Sequence, residues 1–231
     1  MPDHSEVYQS KADMYERLIS KEDYQGNIYR TLREICPFAD RDIVDMGAGT
    51  GRLTCLVAPE ANSMIAFDLS LQMLKVASEK LKTKGLSNWR TEVADHRTLP
   101  LDHDSADIVL AGWTICYLGS TNDPHWQDNI ESVIAEMKRI VRPGGKLIIL
   151  ETLGTGTEVH DPPEFLTEYY KLLEEFGFSH KAIRTDYQFQ SPQEAEELTR
   201  FFFGDDLANS INKQGLTILP ECTGVWWLNV E

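Results

Sequence analysis

Asp45-Met46-Gly47-Ala48-Gly49-Thr50-Gly51 decides how this chain folds. The heptapeptide follows a short apolar run, Ile43-Val44, and opens into a helix-like run, Arg52 to Val57. Glycine at three alternating positions lets the backbone turn sharply and brings main chain against a ligand. A side chain there would block the turn or the approach. The start of the following helix offers unpaired N–H groups to polar ligand atoms. A second acid, Asp68, ends the next strand-like run, Ser63 to Phe67. That is near the offset of about 20 residues at which a strand-end acid reaches ribose hydroxyls in nucleotide folds. Loop, helix start and distant acid together read as a site for an adenosine-containing cofactor.

Outward from the loop, strand-like and helix-like segments alternate from about Arg41 to Glu151. Apolar runs stand at 43–46, 63–67, 106–112 (ADIVLAG) and 146–150 (KLIIL), with an alternating stretch at 89–94. Near-continuous apolar runs suit strands buried on both faces of a parallel sheet. Ser70 is positioned to cap a helix whose Leu71, Leu74, Ala77 and Leu81 share one face, and Gly85 follows as a stop. Asp123-Pro124 reads as a cap and first-turn proline for a helix ending at Arg142-Pro143-Gly144-Gly145, a turn into the next strand. Strands separated by helices imply right-handed crossovers and an open, doubly wound α/β sheet with helices on both faces. The ends differ. Residues 1–40 read as an N-terminal helical cap, 41–152 as the cofactor-binding core, and 153–231 as C-terminal helices and edge strands, all within a single domain. In the last part Asp161, Pro162 and Pro163 fit a helix start, Lys181 to Gln190 a strand, Ser191-Pro192 a further helix, and Gly224 to Val230 a last strand.

The 231 residues carry a formal net charge of −15. From Leu153 onward 14 acidic residues face 5 lysines and arginines, so the basic surface that nucleic acid or anionic lipid requires is not visible. No run reaches the roughly 18 apolar residues of a membrane span. The polar, acidic N-terminus lacks the regions of an export signal, which makes the cytoplasm the expected location. Cys36, Cys55, Cys116 and Cys222 are scattered without a CxxC pair and read as small buried hydrophobes. No metal site is expected.

Five segments in order carry a family resemblance: DMGAGTG at 45–51, FDLS at 67–70, VADH at 93–96, ADIVLAGW at 106–113 and RPGGKLIILE at 142–151. The chain resembles the class I S-adenosylmethionine-dependent methyltransferases, especially the small type 11, ubiquinone-biosynthesis-like group. The resemblance implies a Rossmann-like sheet of seven strands, mostly parallel, with an antiparallel edge strand. It implies S-adenosyl-L-methionine as cofactor and S-adenosyl-L-homocysteine as product. Gly47, Ala48, Gly49, Thr50 and Gly51 would pass its methionine part, with Asp45 near the ammonium. Asp68 would accept both ribose hydroxyls, Leu69 and Met73 would flank the adenine, and Asp95 would accept from its amino group beside the His96 backbone. Ala111, Gly112 and Trp113 would line the channel where the methyl group meets its acceptor, a small organic molecule. Tyr8 and Tyr15 would fold over the cofactor as a lid, and Tyr117 joins them and Trp113 as a substrate-pocket candidate.

Each position also has a plainer role. Asp45 and Asp68 suit turn caps, Met73 the core, Asp95 a helix cap and Trp113 simple packing. His96, His125 and His160 give no clear general base, so catalytic residues stay unassigned. Two other functions remain: a non-catalytic protein that keeps the cofactor pocket, and a nicotinamide-dependent oxidoreductase. Against the latter, the third glycine of G-x-G-x-x-G would fall at Arg52.

Overall fold

The computed structural model describes residues 4–231, with side chains from Val7 onward. The first three residues of the expected cap lie outside that range. Three helices come first, α1 (His4–Ser10), α2 (Ala12–Ile19) and α3 (Asn27–Ile35). The core then runs β1 (Asp42–Met46), α4 (Arg52–Val57), β2 (Ser63–Asp68), α5 (Leu71–Thr83), β3 (Trp89–Val93), β4 (Ala106–Gly112), α6 (Trp126–Ile140) and β5 (Val141–Thr155). After it come α7 (Thr167–Glu175), β6 (Ser179–Arg184), β7 (Tyr187–Gln188), α8 (Pro192–Phe203), α9 (Asp205–Gln214), β8 (Ile218–Leu219) and β9 (Glu221–Asn229).

Seven strands form one sheet in the order β3-β2-β1-β4-β5-β9-β6, and β7 pairs with β8 apart from it. β3, β2, β1, β4 and β5 pair in parallel, whereas β9 runs antiparallel to both β5 and β6. The reversed strand therefore lies one place in from the edge, with β6 outside it. The apolar runs explain the layering. On one face Val109, Leu147 and Ile149 pack under Val133, Ile134 and Met137 of α6. On the other, Ile43, Leu110 and Ile148 meet Leu32 of α3, Leu53 of α4 and Leu81 of α5. A third cluster joins Leu18 of α2 to Leu198 of α8 and Ile211 of α9, which fastens the N-terminal cap to the C-terminal helices. Chain order reverses between β1 and β4, and such a switch point opens a crevice at the C-terminal strand ends.

Ser70 and Ser191 cap α5 and α8 as expected, accepting from Met73 N at 3.3 Å and Glu194 N at 3.2 Å. Four expected boundaries move. The Asp123 carboxylate accepts from His125 N at 2.9 Å and closes a local turn, so α6 starts later, at Trp126. β5 begins at Val141, because Val141 pairs with Ala106 across an irregularity in the register. The Arg142–Gly145 segment is thus part of the strand, with Gly144 N and Gly145 O bonded to Val230. After Asp161 a 3-10 turn, Glu164–Leu166, precedes α7; Asp161 N instead donates to Leu153 O at 2.8 Å and folds the loop back on β5. The stretch Lys181–Gln190 splits into β6 and β7, which belong to different sheets.

Gly224 sits in the middle of β9 because the Trp226 ring lies across it; a Cβ there would come within 2.3 Å of an indole carbon. Gly224→Ala is expected to cost about 1–3 kcal/mol through overpacking, read as a lower urea midpoint with an unchanged slope.

Candidate functional site

The crevice at the strand ends is a cavity of about 440 Å³. Four chain segments leaving the sheet line it. They bring Asp45, Gly47, Ala48, Gly49 and Thr50 after β1, Asp68, Leu69 and Ser70 after β2, Asp95, His96 and Arg97 after β3, and Gly112, Trp113, Thr114 and Tyr117 after β4. Arg52 and Leu53 enter from α4, and Tyr8, Gln9, Tyr15 and Ile19 close it from the cap.

The glycine loop has two separate jobs. At Gly47 (φ +69°) a Cβ would lie 2.0 Å from Thr114 Oγ1 and 2.8 Å from His96 Nε2, so only glycine admits the segments leaving β3 and β4. At Gly49 (φ +54°) the nearest protein atom to such a Cβ is Tyr15 Cε1 at 3.9 Å. There the bare backbone faces cavity space, with only the Tyr15 ring at its far side. Both positive φ values disfavour any L side chain.

Two acids stand beside this loop. Asp45 is buried, and its Oδ2 accepts from Thr54 N at 3.0 Å and Thr54 Oγ1 at 2.5 Å, capping α4. Burial pushes its carboxyl up to about 6, against those two bonds, and the nearby Asp68 adds to the rise. Asp68 holds Gly49 N with Oδ2 and Ser70 N with Oδ1, both at 2.8 Å. Burial raises its pKa as well, opposed by the same two N–H groups. Each Asp68 oxygen has a further lone pair to offer. Among the described residues neither acid pairs with lysine or arginine. The other charges are matched. Arg97 clasps Asp95 through Nε (2.9 Å) and Nη2 (2.7 Å), and holds that carboxyl down at about 2. Arg52 meets Glu22 at 2.7 Å and lies over the Trp113 ring, 3.7 Å from its centroid. His96 Nε2 is 3.2 Å from Thr114 Oγ1, and burial lowers its pKa.

The wall opposite the loop is aromatic. Tyr8 meets Tyr15 edge-on at 5.4 Å and Tyr117 at 5.7 Å between ring centroids, and the Tyr8 and Tyr117 hydroxyls share a hydrogen bond. Tyr15 also packs on Phe202 of α8 at 5.5 Å. Tyr8 O accepts from Ser70 Oγ at 2.6 Å, tying the cap to the end of β2. Trp113 takes φ +51°, an uncommon conformation for a bulky residue; its N–H is held by Leu150 O at 2.7 Å.

Residues 44–149 match a protein family described as "Methyltransferase domain". This segment belongs to that family. At 33% identity over 138 residues, the chain is similar to a malonyl-[acyl-carrier protein] O-methyltransferase of Marinomonas sp. (strain MWYL1), covering 58% of this chain and 47% of the relative. The ubiquinone/menaquinone biosynthesis C-methyltransferase UbiE of Stutzerimonas stutzeri (strain A1501) is 38% identical over 114 residues, 47% of this chain and 41% of its own length. The chain spans about half the length of the relatives it matches. A solved SAM-dependent methyltransferase from Aquifex aeolicus shares the fold, with TM-score 0.56 and 17% identity over 99% of this chain and 94% of its own.

Within the methyltransferase domain, three expected site residues do not line the cavity. Met73 and Ala111 are fully buried in the core. Met73 faces inward from the first turn of α5, whereas Leu69 is exposed and lines the cavity. Gly51 (φ +80°) supports close packing: a Cβ would meet Ala77 Cβ at 2.9 Å. Asp45 and Asp68 both hold turns and face the cavity. Among the histidines, His125 is exposed and interacts only loosely with Asp128, at 3.9 Å, and His160 is exposed in a loop outside the cavity lining. Sequence reading passed over Arg52, Thr114 and Arg97. Each directly follows or lies within two residues of a named motif residue, and that adjacency was the available signal.

Asp45 generates a pH test. Its folded pKa is raised, so its contribution to stability is complete below the ordinary carboxylate range and is lost as pH rises through about 6. Asp45→Asn removes that loss. The variant is expected to gain up to about 3 kcal/mol on wild type between pH 4 and pH 7, read from paired denaturation curves.

Proposed function

We propose that this chain transfers a methyl group from S-adenosylmethionine to a small, uncharged acceptor with a flat or apolar body. One observation carries the reading: two acids without a lysine or arginine partner flank a stretch of bare backbone, within a crevice at the sheet's switch point. A cofactor with a cationic ammonium, a cationic sulfur and a ribose diol fits that donor set. In this reading Asp45 faces the ammonium and Asp68 accepts the ribose hydroxyls through charge-assisted bonds. The main chain at Gly47, Ala48, Gly49 and Thr50 passes the amino-acid end. Leu69 covers the adenine, with Asp95 and His96 at its rim; the Arg97 clasp fixes Asp95 as an anion able to accept. Bound there, the cofactor supplies a methyl group activated by positive sulfur, with a neutral thioether as leaving group.

The chain's own residues then contribute alignment and exclusion of water. Gly112 and Trp113 flank the channel toward the aromatic wall, and Tyr8, Tyr15 and Tyr117 close it. Holding both partners in line lowers such a barrier by ~7–11 kcal/mol, enough to dispense with a strong base. Acceptor charge follows from pairing. Arg52 is matched by Glu22 and Arg97 by Asp95, so neither cation is left to meet an anionic acceptor. Aromatic edges and faces remain to grip a neutral one.

Calorimetric titration with S-adenosylhomocysteine tests the cofactor half. Asp68→Ala is expected to weaken binding by roughly 1–3 kcal/mol; unchanged affinity removes its ribose role. Gly49→Val, which fills the open backbone face, is expected to abolish binding while the thermal transition stays cooperative. Labelled cofactor incubated with neutral and with anionic metabolite pools tests the acceptor half: product from the anionic pool alone contradicts it.

A further inference from the structure

Glu151 directly follows the buried run Leu147–Leu150 of β5 and is itself wholly buried. Its Oε1 accepts the Cys116 N–H at 3.0 Å and the Tyr169 hydroxyl at 3.3 Å. Among the described residues its Oε2 has no hydrogen-bond partner, and no lysine or arginine forms an ion pair with it. An anion left with an orphan oxygen and no cation in such a place is expensive, so the neutral carboxyl is the form the site accepts. Cys116 is the centre of the 3-10 turn Ile115–Tyr117, which carries Tyr117 to its contact with Tyr8 at the cavity wall.

We infer that Glu151 is a positioning residue, an uncharged carboxyl that pins the Ile115–Tyr117 turn from beneath and so sets Tyr117 against Tyr8 at the acceptor end of the cavity. The inference rests on the proposed use of that cavity for cofactor and acceptor. Burial pushes the carboxyl up to about 8, against the bonds from Cys116 and Tyr169. The sign follows. The folded protein favours the neutral form, and the advantage is lost as pH rises through about 8. Ionisation then sets a charge beside Cys116 and Tyr117 on the turn and Tyr169 and Tyr170 on α7, all of which feel it as repulsion in their own ionised forms. On β9 the residue opposite is Gly224, which brings no compensating charge.

The test compares the full chain with Glu151→Gln and Glu151→Ala between pH 6.5 and pH 9. S-adenosylhomocysteine is the probe in calorimetry, and hydrogen exchange, corrected for intrinsic rate, follows residues 113–119. The glutamine variant keeps an oxygen for Cys116 N–H but cannot ionise. Relative to that variant, wild type is expected to bind equally at pH 6.5 and to fall about tenfold behind by pH 9, one unit above the carboxyl's own value. Protection of residues 113–119 should fall in parallel in wild type and be low at every pH in Glu151→Ala. A glutamine variant that follows the wild-type profile overturns the inference, as does protection indifferent to pH. Should the alanine variant fail to fold, the glutamine comparison still decides. Absence of any binding by wild type at pH 6.5 would instead strike the cofactor reading.

Discussion

A missing Cβ at position 47 shapes the whole crevice. Strands β1 and β4 are neighbours in the sheet, so the segments that leave them must share the space above one strand spacing, about 4.8 Å. Thr114 occupies that space; its hydroxyl would stand 2.0 Å from a Cβ at residue 47, and His96 would stand at 2.8 Å. Only with glycine there can the chain leaving β4 lie down on the loop leaving β1. Trp113 then takes its left-handed turn, Arg52 stacks on its ring, and the following 3-10 turn points Tyr117 at the cap. The ligand-facing loop and the aromatic wall are therefore one packed unit.

Charge in the crevice is sorted by whether it has a partner. Asp95 and Glu22 are each bound by an arginine at 2.7 Å. Among the described residues, Asp45 and Asp68 are bound by backbone N–H groups and one hydroxyl and by no cation. Hydrogen bonds stabilise those carboxylates without neutralising them, and burial raises both pKa values. The crevice thus stores unfavourable negative charge, which the cationic cofactor proposed for it would relieve. The formal charge of −15 adds a long-range field of the same sign, but the local pair gives the preference its geometry.

The cap is held chiefly by apolar contact. Leu18 and Ile19 are buried, and Leu18 packs with the residues of α8 and α9. Ion pairs such as Arg17–Glu197 and Lys80–Glu16 lie nearer the surface, where a pair contributes about 0–1 kcal/mol. α1 is fastened by buried Val7, by Tyr8 and by the Ser70 bond to the Tyr8 carbonyl.

What the sequence disclosed follows the range of the interactions concerned. The glycine loop, the caps at Ser70 and Ser191 and the buried strands depend on residues a few positions apart, and these were legible. Asp45 and Asp68 were legible for the same reason, each ending its own strand. Met73 and Ala111 were misplaced because a motif fixes a position along the chain, while rotation about a helix or the pleat of a strand decides whether the side chain meets ligand or core. The start of α6 slipped because Asp123 had two uses for one carboxylate, and the local turn won. Arg52, Thr114 and Glu151 stayed hidden for a deeper reason. Each acquires its role from a partner in another element: Glu22 for Arg52, Gly47 for Thr114, Cys116 for Glu151. Tyr8 and Tyr117 were legible as pocket candidates, but their contact across 109 positions was not. The part of a site that contacts a cofactor is written in local motifs, because a shared cofactor demands the same local backbone. The aromatic wall is assembled by tertiary packing, and only the folded chain displays its contacts.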